Sequence, residues 1–260
     1  MFFLPRGLRR RWAARRIEID DAAWQDLRTS LPLLASLTAQ ESLRLRELTP
    51  QFLGEKAIDP VGGCVLGERE RLLIGALACL PILNLSLDYY DSWYSIVVYP
   101  GGFVARHEYV DEAGAVHATD AELVGEAWSQ GPVIISWEDV EAAYQLDGFN
   151  VLIHELAHKL DMLAEGANGM PPLHAGMSRQ AWSSAFMRAY EDLCEKVEGG
   201  VETALDPYAT ESPGEFFAVV SEAFFEIPQL LYGEYPEVYE QMKLFYRQDP
   251  LQRLRLAAQS

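Results

Sequence analysis

The run "VLIHELAHKLD", Val151 to Asp161, places His154, Glu155 and His158 inside an otherwise apolar helix. Residues four apart on a helix project from one face, about one turn apart. Two imidazoles so placed can reach a single zinc ion at about 2.0–2.1 Å. Glu155 projects roughly 100° away, outside comfortable ligation but within reach of a water that such an ion activates. This is the H-E-x-x-H arrangement, with Glu155 as general base. Histidines at this spacing also occur in plain amphipathic helices. Here Val151, Leu152, Ile153, Leu156, Ala157 and Leu160 surround them, and burying imidazoles among such residues is costly without a partner. His107-Glu108 in "ARHEYVD" begins the same way, but Asp111 takes the second histidine's place, and we read that stretch as a surface strand.

A catalytic zinc site needs a third protein ligand and an open position. Ten residues past His154 stands Ala164, which cannot bind. The stretch "DPYATESPGEFFAVVSEAFF" offers Glu215 and Glu222, seven apart and therefore on one helical face among phenylalanines and valines. They lie two turns apart, about 10.5 Å, so both cannot hold the same ion. Glu215 has a competing use, because "SPGE" is also a capping box with Ser212 at N-cap and Glu215 at N3. Geometry alone leaves the two glutamates level.

The elements that must position these groups follow from the rest of the chain. Its 260 residues and 49% hydrophobic content suit a folded core. Net charge is −18, yet residues 1–16, "MFFLPRGLRRRWAARR", hold six arginines and no acid. The remainder has 15 basic against 39 acidic residues. Such a body repels nucleic acid and anionic membranes. The basic start lacks the order of a signal peptide. The apolar run Leu72 to Leu87 is short for a membrane span and contains Pro81, Asn84 and Ser86, so a buried helix ending near Pro81 is expected. Cys64, Cys79 and Cys194 have no metal-like spacing and read as reduced core residues of a cytoplasmic protein.

Thr38 and Glu41 form a capping box opening a helix towards Leu48, and a second helix is expected from about Glu68 to Leu80. "YSIVVYPGGFVARHEYV" is β-rich around a Pro100–Gly102 turn, and "GPVIISW", Gly131 to Trp137, is a short strand. The histidine helix follows with Asp147 as its expected N-cap. Further helices are expected from Ser178 to about Val197, Pro213 to Glu226, and Pro236 to about Gln248. The class is α+β, mostly helical around one small sheet. We expect a basic segment 1–16 and a single domain 17–260, helical to about 95 and catalytic from about 96.

Three blocks, "GFNVLIHELAHKLD", "DPYATESPGEFFAVVSEAFF" and "FYRQDPLQRL", together resemble the Mlc titration factor A family of bacterial zinc peptidases, whose catalytic region is related to lethal-factor type metalloproteases. The likeness runs from "SLTAQESLRLREL" to "DPLQRL" and omits the arginine-rich start. It implies a zincin-like fold with one bound zinc ion. His154, His158 and Glu215 match the ligands, Glu155 the catalytic glutamate, and Tyr208 a tyrosine facing the metal, able to stabilise the oxyanion. Asp161 reads as an acceptor behind the ligands or a helix-surface acid, and Glu222 as a carboxylate behind the ligands. The resemblance further implies aminopeptidase-like action on short peptides and capture of a transcriptional repressor. "GPVIISW" is expected as the edge strand that pairs the substrate backbone. The opposing reading is a non-catalytic, zinc-braced binding module. Against it, no further histidine or cysteine stands in these blocks to close the site.

Overall fold

The structure, a computed structural model, describes the backbone of residues 17–101, 103–110, 116–123, 125–127, 131–164 and 166–257, with side chains outside 103–127 and 257. The basic segment 1–16 therefore lies outside the described residues, as do the side chains of His107 and Glu108.

Three helices come first: α1 (Asp21–Ser30), α2 (Pro32–Ala35) and α3 (Ala39–Glu55). The capping box is present, Thr38 N donating to Glu41 Oε2 (3.0 Å) and Glu41 N to Thr38 Oγ1 (3.3 Å). The helix runs past Leu48 and through Pro50, because its last turn carries Phe52, fully buried against Tyr90 and Trp93. Strand β1 (Ala57–Pro60) leads to α4 (Glu68–Cys79), whose residues from Leu72 onward are all buried. Burial on every side, and not lipid, accounts for its apolar character. Among the described residues no helix is long and apolar enough to cross a membrane.

Next come β2 (Ser95–Tyr99), β3 (Phe103–Val110), β4 (Val116–Leu123), β5 (Gly125–Ala127) and β6 (Val133–Ser136). The sheet order is β1-β2-β6-β5, with β1, β2 and β6 parallel and β5 antiparallel. Two expectations are corrected here. There is not one sheet, since β3 and β4 form a separate antiparallel ribbon. The strand of "GPVIISW" is internal, between β2 and β5, so the edge beside the site is β5. Burial of Val133 and Ile135 at 0% exposure suits an internal strand better than an edge.

After the short α5 (Trp137–Ala142) comes the histidine helix α6 (Val151–Asp161). Its N-cap is Asn150, not Asp147: Asn150 Oδ1 accepts from Ile153 N (3.1 Å), while Asp147 turns the preceding loop by accepting from Phe149 N (3.1 Å). Helix α7 (Arg179–Glu198) packs Trp182 and Phe186 in parallel, centroids 4.2 Å apart, towards α8 (Pro213–Glu226). The chain closes with α9 (Pro228–Glu234), α10 (Pro236–Tyr246) and α11 (Pro250–Ala257).

The block "FYRQDPLQRL" works as a latch. Gln248 Nε2 donates to Leu80 O (2.8 Å), and Arg253 pairs with Glu41 (2.7 Å) and Gln248 Oε1 (2.7 Å). It ties the C-terminal helices to α3 and to the end of α4. Of the cysteines, all free, Cys79 is fully buried while Cys64 and Cys194 are half-buried, which corrects the expectation of three core residues.

Candidate active site

Helices α6 and α8 pack against each other and bring the separate motifs together. His154 Nε2 lies 3.2 Å from His158 Nε2 and 3.0 Å from Glu215 Oε2, and His158 Nε2 lies 3.2 Å from the same oxygen. Tetrahedral zinc with bonds of about 2.0–2.1 Å separates its ligand atoms by about 3.3 Å. Two nitrogens and one carboxylate oxygen thus form a triangle of the size one such ion spans. Among the described residues this is the group of three side chains that the fold assembles closely enough to hold a metal ion.

Glu215 can turn to the histidines because only half of the expected capping box is made. Ser212 Oγ accepts from Glu215 N (3.1 Å), but the Glu215 carboxylate does not fold back on the cap. The approach of α8 to α6 needs glycine at the helix start. A Cβ on Gly214 would stand 2.9 Å from Ala167 O, and one on Gly169 would stand 2.6 Å from Pro213 O. Asp161 holds that facing loop, accepting from Gly169 N (2.7 Å), and Trp182 Nε1 donates to Gly169 O (2.8 Å). Asp161 is fully buried, so the reading as a surface acid is corrected.

Glu222 does not join the triangle. It sits behind His154, whose Nδ1 donates to Glu222 Oε1 (2.7 Å), while Asn150 N donates to Glu222 Oε2. This bond directs the Nε2 lone pair of a neutral His154 towards Glu215 and His158. Without an ion, burial alone would lower His154, but hydrogen bonds with Glu215 and Glu222 push it up to about 10. Burial would likewise raise Glu215, yet the two histidines hold it at about 2. The pocket favours negative charge on Glu215 and positive charge beside it.

Glu155 is buried and lines the same cavity as His154 and Tyr208. Tyr208 stands on a 3₁₀ turn (Pro207–Thr210) capped by Asp206, which accepts from Tyr208 N (2.8 Å). Its ring centroid is 6.1 Å from that of His154. Burial, with Glu215 and Glu155 nearby, pushes the phenol up to about 12, so it keeps its proton and remains a donor.

Three participants escaped the sequence reading. Lys159, 1% exposed, reaches from α6 to donate to Gly131 O (3.0 Å), tying the metal-facing helix to the start of β6. Asn150 caps α6 and touches both Glu222 and Glu226. Glu226 accepts from Asn150 Nδ2 (2.9 Å) and Gly148 N (3.2 Å). Its signal was available, since Glu226 follows Glu222 by four residues on an apolar helix.

Burial, with Asp147 and Glu222 adding to it, raises Glu226 to about 8 although Asn150 and Gly148 donate to it. The folded chain therefore holds a proton that the unfolded chain releases near 4.5. The stabilisation is full below that value and is lost as pH rises through about 8. The slope approaches on the order of 1.4 kcal/mol per pH unit. Glu226→Gln, neutral at every pH, should lack this term. Urea unfolding of both proteins from pH 5 to 9 should show the wild type losing stability relative to the variant, and parallel curves would contradict the assignment.

The chain belongs to the glucose-regulated metallo-peptidase M90 family, whose profile matches residues 6–247. The match takes in Arg6 to Arg16, which the sequence resemblance set aside. Mlc titration factor A of Yersinia pestis (strain Pestoides F) is 36% identical over 247 residues, covering 94% of this chain and 91% of that protein. The Mlc titration factor A of Yersinia pseudotuberculosis serotype O:1b (strain IP 31758) gives the same figures. The family's description implies a metal cofactor, and the His154, His158 and Glu215 cluster is compatible with one.

Proposed function

We propose that the chain is a zinc-dependent peptidase in which His154, His158 and Glu215 hold one ion and Glu155 and Tyr208 carry the proton chemistry. The observation that supports this most is the triangle of ligand atoms with edges of 3.0, 3.2 and 3.2 Å. A zinc ion there supplies Lewis acidity, making water acidic near neutral pH and polarising a carbonyl. Glu155 takes the proton of the attacking water and delivers it to the departing amine. The Tyr208 phenol donates to the oxygen that becomes negative. Glu222 keeps His154 in one tautomer, and Lys159 fixes α6 relative to the sheet. Among the described residues β5 is the outer strand of its sheet, and an extended substrate adds to it as a strand.

The reading extends to aminopeptidase-like trimming of short peptides. The relatives are named for titrating Mlc, and we carry repressor capture over as a second activity of this chain. The competing reading is capture alone, with zinc as a brace. Phenanthroline should abolish hydrolysis of short peptides, and zinc should restore it. Comparing peptides with free and acetylated N-termini separates trimming from internal cleavage. Hydrolysis that persists after thorough metal removal, or no hydrolysis by the zinc-loaded chain, would sink the peptidase reading.

A further inference from the structure

Beside His154, Glu155 and Tyr208 opens a cavity of about 430 Å³, within the size range of ligand sites. Phe149, Val151, Leu205, Val219, Ala223 and Ile227 give it apolar walls. Its acidic lining groups are Asp147, Glu155, Asp206 and Glu222, and no lysine or arginine is among the described lining residues. We propose that this cavity receives a bulky, uncharged apolar side chain next to the scissile bond and rejects acidic ones. The proposal rests on the peptidase reading above and names its substrate class.

The cavity touches the reacting groups directly, because His154, Glu155 and Tyr208 share its lining with the apolar walls. Val219 and Ala223 stand on α8, the helix that also carries Glu215. The loop before α6 closes on Ile227, the C-cap of α8. Gly148 has φ +95°, and a Cβ there would meet Ile227 Cδ1 at 2.6 Å, so glycine lets the loop close on Ile227. Glu226 accepts from Gly148 N (3.2 Å) and pins that loop.

Apolar walls favour a side chain that leaves water there. An acidic side chain would lose its hydration among carboxylates with no lysine or arginine to pair with it. A methylene in such a pocket changes kcat/KM by about 10–200-fold.

The test uses the full-length, zinc-loaded chain and hexapeptides varied among Gly, Leu, Phe, Glu and Lys on each side of the scissile bond. At one of the two positions, Leu or Phe should exceed Gly by at least about tenfold in kcat/KM, with Glu lowest. Ile227→Ala should raise the Phe-to-Leu ratio at that position. Asp147→Asn, an exposed change that keeps an acceptor for Phe149 N, should raise the Glu-to-Leu ratio there. Equal turnover across the set, or ratios unmoved in both variants, would overturn the pocket while leaving the peptidase reading intact. If no peptide is hydrolysed, the peptidase reading fails and calorimetry with the Phe and Glu peptides still judges the pocket. Tighter binding of the Phe peptide supports it, and equal or absent binding overturns it.

Discussion

Glu155→Gln should lower peptide hydrolysis by about 10²–10⁴-fold, the range expected when a general base is lost. It should leave zinc at about one ion per chain, because the proposed ligands are three other residues. The two outcomes separate because Glu155 lines the cavity and is not among the three clustered candidate ligands. Glutamine has nearly the shape of glutamate, so packing around this buried position should survive. His154→Ala or His158→Ala should instead lose metal and activity together. Metal analysis and peptide turnover on the same preparations check this. Loss of zinc in Glu155→Gln would mean that the residue helps to hold the ion. Full activity with zinc retained would remove it from the reaction. The variant also judges repressor capture: if binding persists in the hydrolytically dead protein, the two activities are separable.

The helices were largely legible, because their signals are local. Pro213 to Glu226 carries Ser212 as cap and proline at the first position, and the structure gives the same bounds. The cap of α6 was misplaced because Asp147 and Asn150 are both good cap residues three apart. Only the fold shows Asp147 spent on its own loop. The sheet was harder. Strand β1 is four residues, "AIDP", too short to carry a strand signal of its own, and its parallel pairing with β2 defines it. Edge and interior of a sheet differ by which strand lies alongside, which is a non-local fact, so "GPVIISW" was placed one strand too far out.

At the candidate site residue type was itself the signal for His154 and His158, which the fold brings together with Glu215. Glu215 and Glu222 were not separable by spacing, since seven residues put both on one face. Their separation depends on how α8 crosses α6. The crossing sets Glu215 Oε2 against both histidines' Nε2 atoms and Glu222 against the Nδ1 side of His154. Glu226 meets Asn150 and Gly148 only because the packed helices bring together residues 76 and 78 apart.

Glu215→Gln should weaken zinc binding by more than the 10–100-fold typical of a residue that acts behind a ligand. An anionic oxygen that faces two imidazoles becomes a neutral amide. The helix start should be unaffected, because Ser212 accepts from the backbone N of residue 215 and not from its side chain. Glu222→Gln should stay within 10–100-fold, since glutamine can still accept from His154 Nδ1 and the loss falls on orientation. The zinc dissociation constants of these two variants beside the wild type decide whether Glu215 is the third ligand. The loss should be larger for Glu215→Gln, with the fold intact. Equal constants, or a larger loss for Glu222→Gln, would contradict it.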